Sequence, residues 1–332
     1  MALFNAQLTT PYTMLVPLYN NPIVRQRADP WVYKHTDGYY YFTGSVPGYQ
    51  VIELRRAKSL NELEHAASLI VWQAHEEGPM SELIWAPEVH YINGKWYIYF
   101  AASNHKTIRD ESHHHRMFVL ENQHIDPMNT DWIEKGQIKT KRETFSLDGT
   151  TFSSQGKLYY VWAQQDPEIT GNSNLYLSEM DNPWTLKGKQ ILLSIPEYEW
   201  EKRGFSVNEG PAVLTRNGKI FITYSGSATD ENYAMGLLWA DEHKNLLLKE
   251  SWHKLSEPVF VSSEKNKQFG PGHNSFTVSE DGCFDILIYH ARPEKNQKGD
   301  PLDNPNRHAN AQCFTWNEQG FPEFGEPVPY AL

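Results

Sequence analysis

The chain is poor in cysteine: Cys283 and Cys313 are the only two in 332 residues. Two thiols cannot build a disulfide framework or a cysteine-rich zinc site, which points to a reducing compartment. No apolar run is long enough to cross a bilayer as a helix. The first twenty residues lack both the basic stretch and the unbroken apolar stretch of a secretory leader. These absences set the expectation of a cytoplasmic protein with no membrane partner. Basic residues are also short, 30 Lys and Arg against 41 Asp and Glu, for a formal net charge of −11. That balance argues against nucleic acid, whose binding depends on Lys and Arg at phosphates, and it suits a neutral ligand. Helical periodicity is scarce, the stretch 60–63 being the best short exception.

Aromatic residues are plentiful instead, at 13% with 11 Trp and 18 Tyr. They fall in a repeated phrase: an acid or histidine, a short apolar run, a turn, then an aromatic-rich run. Five copies are headed by Asp29, Glu88, Asp148, Glu209 and His273, at separations of 59, 60, 61 and 64 residues. The turns are Asp37-Gly38, Asn93-Gly94, Gln155-Gly156, Asn217-Gly218 and Asp281-Gly282, all short-hairpin signals. A third apolar run follows in each copy, near 49–54, 116–120, 175–179, 234–239 and 311–315. Hairpins recurring at a nearly fixed period predict an array. The fold expected is all-β: a five-bladed β-propeller in a single domain over 1–332, with residues 1–27 as an arm or ring-closing segment. A β-sandwich is the alternative, although its strands need not repeat in register.

In a propeller the first strand of each blade lines the central channel, so the five heads converge. Carboxylates crowded at one channel mouth repel, and at least one is held protonated. That separation of one neutral acid from one ionised carboxylate is what acid/base catalysis near neutral pH requires. Such acids could equally bind a cation or cap strand ends. The run His113-His114-His115 looks like a metal site. However, neighbouring side chains on an extended chain alternate in direction, so a loop with His114 reaching toward the cleft is expected instead.

Five phrases carry a resemblance: Arg27-Ala28-Asp29-Pro30, Trp85-Ala86-Pro87-Glu88-Val89, Ser146-Leu147-Asp148-Gly149, Asn208-Glu209-Gly210-Pro211 and Gly272-His273-Asn274-Ser275. In this order they resemble glycoside hydrolase family 43, five-bladed propellers acting on arabinose- and xylose-containing polysaccharides, over about residues 20–325. The resemblance implies an inverting hydrolase in which Asp29 is the general base, Glu209 the general acid and Asp148 the residue that tunes and orients the acid. It also implies substrate contacts from Trp85, from Arg292 and His290 in the phrase Tyr289-His290-Ala291-Arg292, and from Glu88, which stands where many relatives have Asp. His273 would sit near a central calcium or a water, with no cofactor required for the chemistry itself. Calcium prefers oxygen ligands, so hydration would have to supply much of its shell.

The phrases SLDGTTF, NEGPAV and YHAR resemble those of the family's arabinofuranosidases. The activity implied is an exo-acting α-L-arabinofuranosidase releasing arabinose from α-1,5-linked arabino-oligosaccharides or arabinan. A β-xylosidase, an endo-arabinanase or a non-catalytic carbohydrate-binding propeller are the alternatives, and a homo-oligomer is an expectation from relatives. The long polar stretch 292–310, stiffened by Pro293, Pro301 and Pro305, is expected to wall one end of the groove so that only a terminal sugar enters. An oligomer contact or a mobile loop is the plainer reading of the same stretch.

Overall fold

A computed structural model describes residues 18–104 and 114–331. Among these residues the chain forms twenty strands and three short 3-10 segments, with no α-helix. The strands make five four-stranded antiparallel sheets, each built in chain order from its inner strand outward. The inner strands are Ala28–Lys34, Glu82–Ile92, Ser146–Ser154, Asn208–Arg216 and Phe269–Val278. Each contacts the inner strand of the next sheet, and the fifth contacts the first, which closes the ring. This is the five-bladed propeller that the repeat predicts.

The turn chemistry explains the hairpins. At Asn93-Gly94, Gln155-Gly156 and Asn217-Gly218 both turn residues have positive φ, as two-residue mirror-image turns require. In the first and fifth blades only Gly38 and Gly282 do so, and those turns are longer.

The second strand of each blade explains the stacking. Successive side chains of a strand point to opposite faces. In the first blade Tyr40 and Phe42 pack toward the fifth blade, while Tyr41 packs toward the second. In the second blade Trp96, Ile98 and Phe100 join the first, while Tyr97 and Tyr99 join the third. In the fifth, Ile286 and Ile288 join the first blade, while Leu287 and Tyr289 join the fourth. The five apolar clusters therefore lie between neighbouring blades. Sheets buried on both faces exclude a sandwich, whose sheets each keep one face toward solvent.

The ring is sealed at the fifth blade. The outer edge of its third strand, His308–Trp316, pairs at one end with Pro322–Glu323. Its other end is taken by residues 21–24. Ile23 donates its N–H to the Ala309 carbonyl at 2.8 Å, and Ala309 returns one to Val24 at 2.9 Å. The buried Asn21 side chain both donates to the Ala311 carbonyl and accepts its N–H, each at 2.8 Å. Residues 1–17 of the expected arm lie outside the described residues.

Replacing Asn21 by Ala leaves both polar backbone groups of Ala311 buried and unpaired, at about 1–3 kcal/mol each. The melting temperature should fall by several degrees while the far-ultraviolet spectrum stays that of a β protein. An unchanged melting temperature would show that the seal does not depend on this side chain.

Candidate active site

Each inner strand carries an extra residue relative to its partner at the channel mouth, and those of the second and fifth blades carry another, between Glu82 and Trp85 and between Phe269 and Gly272. The five that recur at equivalent places lie between Ala28 and Trp31, Trp85 and Glu88, Leu147 and Thr150, Glu209 and Ala212, and Gly272 and Ser275. Bulges of this kind bend a strand and re-aim a side chain. The residue held left-handed in each is Asp29 (φ 54°), Ala86 (46°), Asp148 (53°), Gly210 (54°) and His273 (43°). For residues with a Cβ this conformation costs about 1–2 kcal/mol each, so it persists only because the packed blades enforce it.

The bulges correct the repeat. Asp29, Asp148 and His273 occupy one structural position, whereas Glu209 stands one residue before it and Glu88 two residues after. The equivalents of Glu209 and Glu88 in the repeat are therefore Gly210 and Ala86. A side chain two residues further along the strand enters a different layer of the channel. Glu88 accordingly lies outside the pocket lining, buried, with its Oε2 2.9 Å from Nε2 of His90. Burial pushes the Glu88 carboxyl well above its ordinary value and lowers His90 to about 3, so this is a neutral pair in the channel interior.

One pocket brings together Asp29, Asp148, Glu209, His273 and Arg307. Asp29 is gripped most closely. Ser45 Oγ donates to its Oδ2 at 2.5 Å, and Arg307 Nη1 donates to its Oδ1 at 3.3 Å. The Asp29 N–H donates to Nδ1 of His290 at 3.0 Å. Burial alone would raise the Asp29 pKa, but the Arg307 guanidinium holds it well below the usual carboxylate range. Ser45 Oγ also accepts the Ala86 N–H at 2.9 Å, coupling Asp29 to the bulge of the second blade.

Asp148 and Glu209 are treated differently. Asp148 Oδ2 accepts the Gly210 N–H at 3.0 Å, and burial together with the Glu209 and Asp29 charges raises its pKa strongly. Glu209 Oε1 accepts from the Tyr233 hydroxyl at 2.8 Å. Burial, reinforced by Asp29 and opposed by Tyr233 and Arg307, raises Glu209 from 4.5 to about 7. With Arg307 committed to Asp29, the Asp148–Glu209 pair keeps a proton into the neutral range.

His273 lies between the carboxylates, its Nδ1 3.3 Å from Asp29 Oδ1 and 3.9 Å from Asp148 Oδ2. A Cβ on Gly210 would come within 3.0 Å of this imidazole ring, and Gly210 also has positive φ, so only glycine suits that position. Among the described residues no group of three or more His, Cys, Asp or Glu is arranged to hold a metal ion. The side chains at His273 do not form the oxygen-rich shell that calcium prefers, so an ion here would be held largely through its own water.

The remaining expected residues divide. Trp85 lines the pocket, its ring stacked on His115 at 3.9 Å between centroids. His115 is buried against Trp85 and is not in the pocket lining, and His113 lies outside the described residues. His290 lies behind Asp29, stacked on Tyr233, and burial lowers its pKa to about 3. A neutral ring accepting the Asp29 N–H at Nδ1 carries its hydrogen on Nε2.

Arg292 is not in the pocket lining. It is 1% exposed, and its guanidinium donates to the carbonyls of Thr229, Pro301 and Asn304 and to Gln297. This arginine holds the connection 293–307 in place. The guanidinium in the pocket is Arg307, at the far end of that connection, and nothing periodic in the sequence marks it. Tyr49 Oη donates to the Leu302 carbonyl at 2.9 Å and accepts from Arg307 Nη2 at 3.2 Å. Asp300, Pro301 and Leu302 are thereby set along the pocket. Ser45 and Tyr233, which touch Asp29 and Glu209, are also absent from the sequence expectations. Each sits inside an ordinary strand or turn with no motif of its own.

Known proteins share this arrangement of sheets. A crystal structure of an α-L-arabinofuranosidase from Lactobacillus brevis superposes with a TM-score of 0.93 at 59% identity, covering 95% of this chain and 98% of that one. The "Alpha-L-arabinofuranosidase 43" of Humicola insolens is 50% identical over 94% of this chain and 64% of its own length. The "Extracellular exo-alpha-(1->5)-L-arabinofuranosidase" of Streptomyces avermitilis is 49% identical over 97% of this chain and 66% of its own. The chain thus spans slightly less than two thirds of those two relatives. The profile of "Glycosyl hydrolases family 43" matches residues 19–322, and the chain belongs to that family.

Proposed function

We propose that the chain is an inverting, exo-acting α-L-arabinofuranosidase that releases arabinose from the ends of α-1,5-linked arabino-oligosaccharides or arabinan. The observation that carries this reading is the division of charge in one pocket. Asp29 is held ionised by Arg307 and Ser45, while Glu209 titrates near 7. The similarity to relatives named as arabinofuranosidases supports the choice of sugar.

Protonated Glu209 gives its proton to the glycosidic oxygen as the bond to the anomeric carbon breaks. Asp29 takes a proton from the water that attacks the opposite face of that carbon. The products are one arabinose and a shortened chain, leaving Glu209 ionised and Asp29 protonated until solvent exchanges both. Inversion of this kind requires two carboxylates roughly 6.5–9.5 Å apart, with room for the water between them. Asp148 tunes the acid through the charge it shares with Glu209, and its bond to the Gly210 N–H ties it to the strand that carries the acid. The exposed face of Trp85 offers the sugar a flat surface. The wall made by Asp300, Pro301 and Leu302 supports end-on entry.

Two experiments test this. Rates on nitrophenyl α-L-arabinofuranoside, nitrophenyl β-D-xyloside and linear arabinan should rank the arabinofuranoside first, with arabinose as the sole early product from arabinan. A preference for the xyloside, or intermediate-length fragments at early times, would give the function to another member of the family.

The second is a pH profile. Activity needs Asp29 ionised and Glu209 protonated, so kcat/KM should fall as pH rises through about 7. Asp148→Asn removes a like charge beside the acid, lowers the Glu209 pKa and should move that falling limb to lower pH. An unmoved limb would count against the tuning role.

A further inference from the structure

We propose that Phe205 forms the floor of a leaving-group subsite, a platform for the sugar ring attached to the departing oxygen. This rests on Glu209 being the acid, because the leaving group must lie against the residue that protonates it. Seven large apolar side chains stay exposed among the described residues: Leu18, Ile70, Ile125, Ile133, Phe205, Leu248 and Val261. Of these only Phe205 lines the pocket, and it is the only aromatic one. Its ring is 51% exposed.

The backbone holds the ring in this position. The connection 202–207 runs directly into the inner strand Asn208–Arg216, whose second residue is Glu209. Arg203, two residues before Phe205, donates its N–H to Ser227 Oγ at 2.9 Å and accepts the Ala228 N–H at 2.9 Å. Ser206, just after it, accepts the Asn172 N–H at 2.7 Å and donates to Asn172 Oδ1 at 3.3 Å. The Glu201 carbonyl accepts from both Val207 and Ser227 at the base of the connection.

A Cβ on Gly204 would come within 2.8 Å of the Ala228 Cβ, so a glycine with φ 77° lets the two segments close together. A rigid loop that presents an aromatic ring to water beside an acid is costly unless something covers the ring. Aromatic rings cover the apolar faces of sugars, and the neighbouring Asn172 and Thr229 in the lining supply polar groups for its hydroxyls. The ligand class is therefore a second pyranose or furanose ring, or an aryl group, linked through the scissile oxygen.

The test compares Phe205→Ala and Phe205→Trp with the natural chain on two substrates. Arabinotriose places a sugar in the subsite, whereas methyl α-L-arabinofuranoside places only a methyl group there. For Phe205→Ala the ratio of kcat/KM on arabinotriose to that on the methyl glycoside should fall about tenfold, mainly through KM on the triose. Phe205→Trp should keep the ratio within about threefold of the natural chain. An unchanged ratio in Phe205→Ala, or an equal loss on both substrates, would overturn the subsite while leaving the catalytic reading intact. A natural chain inactive on both substrates would overturn the catalytic reading, and the subsite with it.

Discussion

Asp29, Asp148 and Glu209 meet one guanidinium, that of Arg307, among the described residues of a pocket that Asp300 also lines, and the proposed chemistry follows from how that imbalance resolves. Arg307 reaches Asp29, and Ser45 reaches the same carboxylate from the other oxygen. Asp148 and Glu209 are left with a backbone N–H and a tyrosine hydroxyl, which cannot offset burial and mutual repulsion. One carboxylate is thus held ionised and a second keeps a proton toward neutral pH, the division that the proposed mechanism uses. The propeller makes this possible because bulged inner strands from separate blades aim short side chains at one point. Four non-glycine residues held left-handed in these bulges are a local cost of about 1–2 kcal/mol each, met by the five apolar clusters between blades.

The same arrangement makes stability depend on pH in two opposite ways. Asp29 has a folded pKa below its unfolded one, so its contribution is full above the unfolded value and is lost as pH falls through the folded value. Glu209 has a folded pKa above its unfolded one. The folded state then binds more protons than the unfolded between 4.5 and about 7, and stability falls as pH rises across that window. Glu209 therefore costs stability in the range where the proposed mechanism would use it, as strained or charged sites commonly do.

Much of the fold was legible because its cues are local. Asn93-Gly94 and Asn217-Gly218 each fix a two-residue turn, and the unbroken aromatic runs after them report strands buried on both faces. The outer strands left no such trace. Ser68–Gln73 and Ile133–Gln137 are largely solvent-facing and short, so neither burial nor turn chemistry marks them. The site was legible where a residue sits on an inner strand beside the channel, as Asp29, Asp148, Glu209 and His273 do. It was misread where one inserted residue decides the layer, which moved Glu88 into the channel interior. Long-range contacts were invisible. Arg292 and Arg307 bracket one connection, and only the path of the chain between them decides which guanidinium reaches the pocket.

The central claim is that Asp29 drives water onto the face of the anomeric carbon away from Glu209. Proton NMR of the first product formed from an α-L-arabinofuranoside tests it most directly. Spectra taken within the first turnovers, before the free sugar equilibrates, should show the β-anomer of arabinose. The α-anomer as first product would mean that a carboxylate attacks the sugar itself, and the assignment of Asp29 as a base acting on water would be wrong.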